Sequence, residues 1–422
     1  MAGEVTVVAD KDDLVIGKRI AHYRKLRRLT QAQLAQRAHV SHSLLSKVEA
    51  GLRPATPVLV ASLAPLLGVS VSELNGQPYF RDEARPEPVH ASIPALHGAL
   101  ARYDIPLEPA RPPRSLTELR LAVDQVNRLR QTGNYSRLGL MLPGLLDEVA
   151  YAAHTTAGDR RPEVFRLLAA IYFAAHSVAY KLGYDQLATI AEDRIVWAAR
   201  QSDDQLLIAV ANWTRCTSFL ATGAATGGAG YAAGLKLLGA TRTALDDDLP
   251  TADPALLSVY GALHLREAIL AARAANPGTA WAHVEAAREM VARGARDSNP
   301  GYILTCGPVN ARIVEVAVAV ELGDGTDAIA RAEGLSIPTG FPAVRAGHHY
   351  VDLARAYLWH GSRDGALKAL LAAERHAPQQ TRHHPMTHET LGVLVQQGRR
   401  CPDSLLGLVD RVTRSGAARP PA

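Results

Sequence analysis

The residues best placed to do chemistry in this chain are His42, Ser43, Ser46 and Lys47. All four are polar and carry hydrogen-bond donors or acceptors, and their spacing puts them on one face of a helix. The chemistry such a face performs is recognition. A short polar face on a helix is the surface needed to enter a DNA major groove, which is just wide enough to admit one.

Two short helices and a tight turn must position these residues. The stretch TQAQLAQRAHVSHSLLSKVEAG runs from Thr30 to Gly51. Thr30 is an N-cap residue with Gln33 three positions on, the spacing of a capping box. The first helix runs to about Ala38, with Leu34, Ala35 and Ala38 on one face, and His39-Val40 makes the turn. Ser41 caps a second helix whose Leu45 and Val48 face inward at i, i+3. Gly51 ends it, because glycine takes positive φ just past a helix without strain. Arg53 follows in a loop, where a phosphate contact is its natural role.

The string T-Q-x-x-L-A-x-x-x-x-V-S-x-x-x-L-S-x-x-E-x-G resembles the helix-turn-helix of the XRE family, which includes the Cro and lambda-type repressors. The resemblance covers roughly Leu14 to Gly76. It implies a sequence-specific DNA-binding transcription regulator acting on a double-stranded operator. By family position His42, Ser43, Leu44, Ser46 and Lys47 face base edges, while Gln31 and Gln33 lie near phosphate. Leu44 can make only apolar contact, for example with a thymine methyl. Arg24 occupies the position that, in this family, pairs with the Glu ending the recognition helix, here Glu49. The pair is read as a structural ion pair.

Charge is distributed to match. The chain of 422 residues has a net charge of +5. Between Leu14 and Gly76, nine Lys/Arg oppose only Glu49 and Glu73, a local net of +7. The leader 1–13 carries −3 and the remainder of the chain +1. A positive excess concentrated on one segment is what a phosphate-binding surface requires. Hydrophobic residues make up 47% of the chain, enough for a sizeable core, while aromatics are only 5%, which favours helix over sheet. Cys216, Cys306 and Cys401 are far apart and odd in number, so they form neither a disulfide framework nor a zinc CxxC pair. The N-terminus lacks the apolar core of a signal peptide, and no apolar run suffices to span a bilayer. A cytoplasmic protein with no membrane partner is expected.

The fold class expected is all-α: a lambda-repressor-like helix-turn-helix domain over 14–76, then a TPR-like helical-repeat solenoid. A flexible leader (1–13) precedes the first domain, and a helical stripe of Ile16, Ile20, Tyr23 and Leu26 opens it. Thr56 caps a helix with Pro57 at its first position, and Pro65 should kink that helix or end it early. Ser70 or Ser72 caps a last short helix. A proline-rich linker (77–113) holds one helical island, SIPALHGALARYD, and ends before the repeat domain (114–415) and the tail (416–422). Glycine and Asx breaks from Gly133 to Gly361 set a helix pair every 35 to 45 residues, the mark of a repeat solenoid. The clearest unit spans Gly347 to Gln380. Tyr350, Leu353, Ala354, Tyr357, Ala366, Leu370, Ala373 and Pro378 fall on positions of a tetratricopeptide repeat when Gly361 is the inter-helix glycine. The repeat domain should fold and dimerise without the first 76 residues.

A helical solenoid presents a concave surface. The chain resembles XRE-TPR regulators of high-GC Gram-positive bacteria, and its use of Arg over Lys accords with that. In the related RRNPP quorum-sensing group the groove takes a signalling peptide, often held by Asn. The resemblance implies a homodimer on an inverted-repeat operator and a peptide or small-molecule effector held by Asn212 and Asn310. The alternative is a TPR protein-interaction scaffold with an accessory DNA-binding domain. Other constellations fail. The glycines of Thr226–Gly234 follow a helix rather than a strand, so they are no phosphate loop. His376, His383, His384 and His388 have no helical ligand spacing across Pro385. No nucleophile–base or paired-carboxylate arrangement marks an enzyme, and no metal or cofactor is expected.

Overall fold

The computed structural model describes residues 15–79, 88–109, 112–398 and 401–413. The leader 1–13, the tail 416–422 and residues 80–87 of the linker lie outside them. Among the described residues every regular element is helical and none is a strand.

Five helices build the N-terminal domain: α1 (Ile16–Leu26), α2 (Gln31–Arg37), α3 (His42–Glu49), α4 (Pro57–Leu67) and α5 (Val71–Asn75). Their ends are fixed locally. Thr30 and Gln33 form a reciprocal capping box, as do Ser70 and Glu73, while the hydroxyls of Ser41 and Thr56 accept from the N–H groups of Leu44 and Leu59. His39 takes φ 54° in the turn between α2 and α3, and Gly51 takes φ 69° after α3. Ile16, Ile20, Leu34, Leu45, Val48, Leu63, Leu67 and Leu74 are buried together. Leu26 is 64% exposed, so the apolar stripe of α1 ends at Tyr23, which packs partly buried against this cluster. Pro65 does not end α4, which continues to Leu67 and terminates at Gly68 with φ 65°. The proline ring is exposed, and Leu63, Ala64 and Leu67 around it are buried, so packing holds the last turn despite the missing N–H.

After α6 (Pro88–Ala91) and α7 (Ile93–Ala101), both packed on α9, the chain folds as successive antiparallel hairpins. These pair α8 (Leu116–Thr132) with α9 (Tyr135–Thr155), α10 (Arg161–Leu182) with α11 (Asp185–Arg200), and α12 (Gln205–Thr222) with α13 (Ala229–Thr243). They continue with α14 (Pro254–Arg273) and α15 (Pro277–Ala292), α16 (Pro308–Glu321) and α17 (Gly325–Ala332), and α18 (Ala343–Trp359) and α19 (Arg363–His376). The end is α20 (Pro378–His383), α21 (Pro385–Gln397) and α22 (Asp403–Thr413). Each hairpin stacks on the one before it, the nearest-neighbour packing of a solenoid. In the Gly347–Gln380 unit, Ala354, Ala366, Leu370 and Ala373 are fully buried and Gly361 has φ 86°. Among the described residues one helix, α14, is long and apolar enough to cross a membrane; it is mostly buried between its neighbours.

The superhelix closes on itself. Helix α18 packs on α8 as well as on α19, and α20 touches α10. Tyr135 Oη lies 3.3 Å from Gln380 Oε1, and the Ser136 N–H donates to Gln379 Oε1 at 3.1 Å. The N-terminal domain sits on this closure. Val351 of α18, Ala373 of α19 and Met386 of α21 belong to the same buried cluster as Ile16, Leu45 and Leu59. The two parts therefore share apolar packing, beside the separate buried clusters that the repeat helices form among themselves.

Candidate nucleic-acid interface

Helix α3 buries Leu45, Val48 and Glu49 and turns His42, Ser43 and Lys47 to solvent, with Leu44 and Ser46 half-buried at the edges of that face. It is held from behind by α1 at very short range. A Cβ on Gly17 would lie 1.9 Å from the Val48 carbonyl oxygen, so only glycine permits this approach.

The end of α3 is fixed by charge. Arg24 Nε and a terminal guanidinium nitrogen donate to the two oxygens of Glu49 at 2.7 and 2.8 Å, and its other terminal nitrogen donates to the Leu29 carbonyl at 2.8 Å. Gln31 Nε2 adds a bond to Glu49 Oε2 at 2.8 Å, tying α2 to the same carboxylate. Gln33 spends its side-chain oxygen on the Thr30 N–H. Two further cations also have internal work. Arg19 donates to the carbonyls of Leu74 and Asn75 at the end of α5, and Arg27 to the Leu67 carbonyl at the end of α4. Both satisfy carbonyls that a helix C-terminus leaves open. No spacing in the sequence reveals these two roles, because the carbonyls lie 40 or more residues away. Lys25, Arg28, Arg37, Lys47 and Arg53 remain exposed.

Sequence reasoning also missed the residue that seats the domain. Glu389 of α21 is fully buried. Its Oε2 accepts from the Ile16 N–H at 2.7 Å and its Oε1 from the Ala55 N–H at 2.6 Å. One carboxylate thus serves the open start of α1 and the segment entering α4. Burial pushes Glu389 up to about 7 against the pull of these two N–H bonds. Around it, Tyr79 stacks on His388 at 3.8 Å, Gln77 Nε2 donates to the His383 carbonyl at 3.2 Å, and Gln397 Nε2 donates to the Leu52 carbonyl at 3.2 Å.

Residues 15–75 match the helix-turn-helix domain family. Among solved structures, the crystal structure of Bacillus thuringiensis PlcR in complex with the peptide PapR7 and DNA is similar at 12% identity, over 86% of this chain and 93% of that one, with a TM-score of 0.25. No curated protein matches the chain.

The remaining sequence-stretch candidates lie in the solenoid. Asn212 of α12 donates to Thr241 Oγ1 at 3.0 Å and lines an open groove with Gln205, Ile208 and Leu245. Asn310 of α16 is fully buried and donates to the Thr305 carbonyl at 2.6 Å, so the two asparagines do not meet on one open face. The C-terminal histidines separate. His376 stacks on Tyr350, His384 Nε2 faces His348 Nδ1 at 3.2 Å, and His388 Nε2 faces the Arg382 carbonyl at 2.6 Å. Lys181, Arg266 and Arg345, from α10, α14 and α18, make no ion pair among the described residues, although Lys181 lies over the Tyr180 ring and Arg266 over the Trp213 ring. Solvent reaches each, yet protein surrounds them; burial and mutual repulsion push Lys181 down to about 8 and Arg266 to about 10.

Proposed function

We propose that this chain is a DNA-binding transcription regulator acting in the cytoplasm. The observation that carries the reading is the outer face of α3: exposed His42, Ser43 and Lys47 on a capped helix whose inner face is buried and whose one carboxylate, Glu49, is turned inward and paired. In this reading α3 enters the major groove, with His42, Ser43, Leu44, Ser46 and Lys47 at base edges. Gln31, Gln33 and Arg53 lie along the phosphates, with the exposed arginines and lysines strengthening a sequence-independent grip. A single short helix reads few base pairs, so a homodimer on an inverted repeat supplies the second half-site.

The solenoid is proposed to serve dimerisation and to hold a peptide or small-molecule effector. Asn212 in its groove supports such a site. The unpaired cations Lys181, Arg266 and Arg345 favour an effector carrying negative charge.

A gel shift at several salt concentrations, on the upstream region of the protein's own gene and on a scrambled duplex, tests the DNA reading. Lys47→Ala should lose about 1–3 kcal/mol on the cognate duplex alone, the value of a direct base contact. Arg53→Ala should weaken both duplexes alike and lower the salt slope by about one. Equal loss on both duplexes for Lys47→Ala would make Lys47 a phosphate contact and move the reading face elsewhere. No salt-dependent binding to either duplex would sink the DNA reading.

A further inference from the structure

Three side chains on the α14–α15 hairpin bring their donor atoms together away from the N-terminal domain. His264 Nδ1 and His283 Nδ1 are 2.9 Å apart, and each is 3.6 Å from Glu267 Oε2. His264 and Glu267 are one helical turn apart on α14, and His283 reaches them from α15. Glu267 and His264 are buried and His283 is half-buried. Among the described residues no other group of three histidine, cysteine or carboxylate side chains converges in this way.

The triangle has a definite size. Sides of 2.9, 3.6 and 3.6 Å give a circumradius of about 2.0 Å. A cation slightly off its plane therefore sits about 2.0–2.1 Å from both nitrogens and the oxygen, the bond lengths of zinc to imidazole and carboxylate. The ligand atoms need not move. Two imidazoles and one carboxylate select a first-row transition ion over magnesium or calcium, which prefer all-oxygen sites. The fourth tetrahedral position falls to water.

We propose that His264, Glu267 and His283 form a binding site for a divalent transition ion of the zinc type. The inference stands on the hairpin alone and does not depend on DNA binding. An imidazole nitrogen that carries no proton offers its lone pair to a cation. Without a cation, two Nδ1 atoms at 2.9 Å must share one proton in a nitrogen–nitrogen hydrogen bond; with one, both lone pairs have a common acceptor. Arg242 of α13 completes the outer layer. Its Nε donates to Glu267 Oε2 at 2.7 Å and a terminal nitrogen to Oε1 at 3.3 Å. Tyr260 Oη lies 3.5 Å from the other terminal nitrogen and donates to Asp246 Oδ1 at 2.7 Å. A carboxylate oxygen has two lone pairs, so Oε2 can serve Arg242 and the ion together. Carboxylates that ligate metals are ordinarily held by such outer partners. The bound ion would pin α14 to α15 and, through Arg242, to α13.

The test uses the full-length chain stripped with EDTA and titrated with cobalt(II), whose visible absorption reports tetrahedral coordination. The expected result is one cobalt per chain, displaced by one zinc, with a rise in melting temperature. His283→Gln, at the half-buried position where folding is least at risk, should weaken uptake at least 100-fold while far-UV circular dichroism stays unchanged. His264→Gln should do the same. If the wild-type chain takes up no stoichiometric cobalt, the Arg242–Glu267 ion pair and the paired imidazoles are the whole function of the cluster and the proposal fails. If uptake persists undiminished in both variants, the ion belongs to other residues and the proposal fails equally.

Discussion

Replacing Arg24 by Met removes two of the three donors that satisfy Glu49 and the donor that satisfies the Leu29 carbonyl. The side chains of Arg24 and Glu49 are only 11% and 5% exposed, so water cannot substitute for the lost guanidinium. Breaking a buried pair from one side costs about 3–5 kcal/mol, because an uncompensated charge stays behind. That is a large fraction of the roughly 5–15 kcal/mol by which a typical protein is stable. Arg24→Met should therefore lower the unfolding free energy of the N-terminal domain by about 3–5 kcal/mol. Glu49→Met in the same chain removes the stranded carboxylate and should restore at least half of the loss. Gln31, half-buried, can then turn its amide to solvent. Urea unfolding followed by hydrogen exchange at α3 amides measures both variants, and the double-mutant cycle gives the coupling energy. A loss below about 1 kcal/mol for Arg24→Met, or a double variant whose loss equals the sum of the two singles, would refute the reasoning: Glu49 would then be hydrated rather than sealed.

Two further outcomes follow from packing and burial. Gly17→Ala should destabilise the domain by about 3 kcal/mol or more in chemical denaturation, because the new methyl meets the Val48 carbonyl at 1.9 Å and only backbone can yield; a neutral effect would mean α1 and α3 are not so close. Glu389, raised in the fold from the usual carboxylate range to about 7, makes stability pH-dependent: the folded chain holds the proton longer than the unfolded one, so its contribution is complete at low pH and is lost as pH rises through 7. That loss is at most about 3 kcal/mol between pH 5 and 8, and Glu389→Gln should abolish it; an identical pH profile in the two proteins would contradict the buried placement.

What could be read from the sequence was local. Thr30, Gln33, Ser41 and Gly51 fix helix ends by bonds within a few residues, so the two motif helices fall where the caps put them. Gly133, Gly183, Gly323 and Gly361 take positive φ between hairpin helices for the same local reason. Pro65 misled because a tertiary effect, the burial of Leu63 and Leu67, outweighs a local one. Long-range chemistry was invisible. Glu389 is a lone carboxylate in an apolar helix, and its partners Ile16 and Ala55 offer only backbone N–H groups. His264 and Glu267 suggest two ligands at most; the third, His283, is supplied by the geometry of the hairpin. Asn310 carried the right residue type on a helix, but its depth is set by packing that no single helix records.

The bridge from Glu389 to Ile16 spans 373 residues of chain, and this sets an order of events during synthesis. The helix-turn-helix leaves the ribosome well before the carboxylate that satisfies the Ile16 and Ala55 amides. Val351, Ala373 and Met386, which complete its apolar core, also come late. A nascent chain stopped before α21 would therefore carry a recognition helix without its seat. Two backbone N–H groups of the helix-turn-helix segment thus have their acceptor only once α21 has been made.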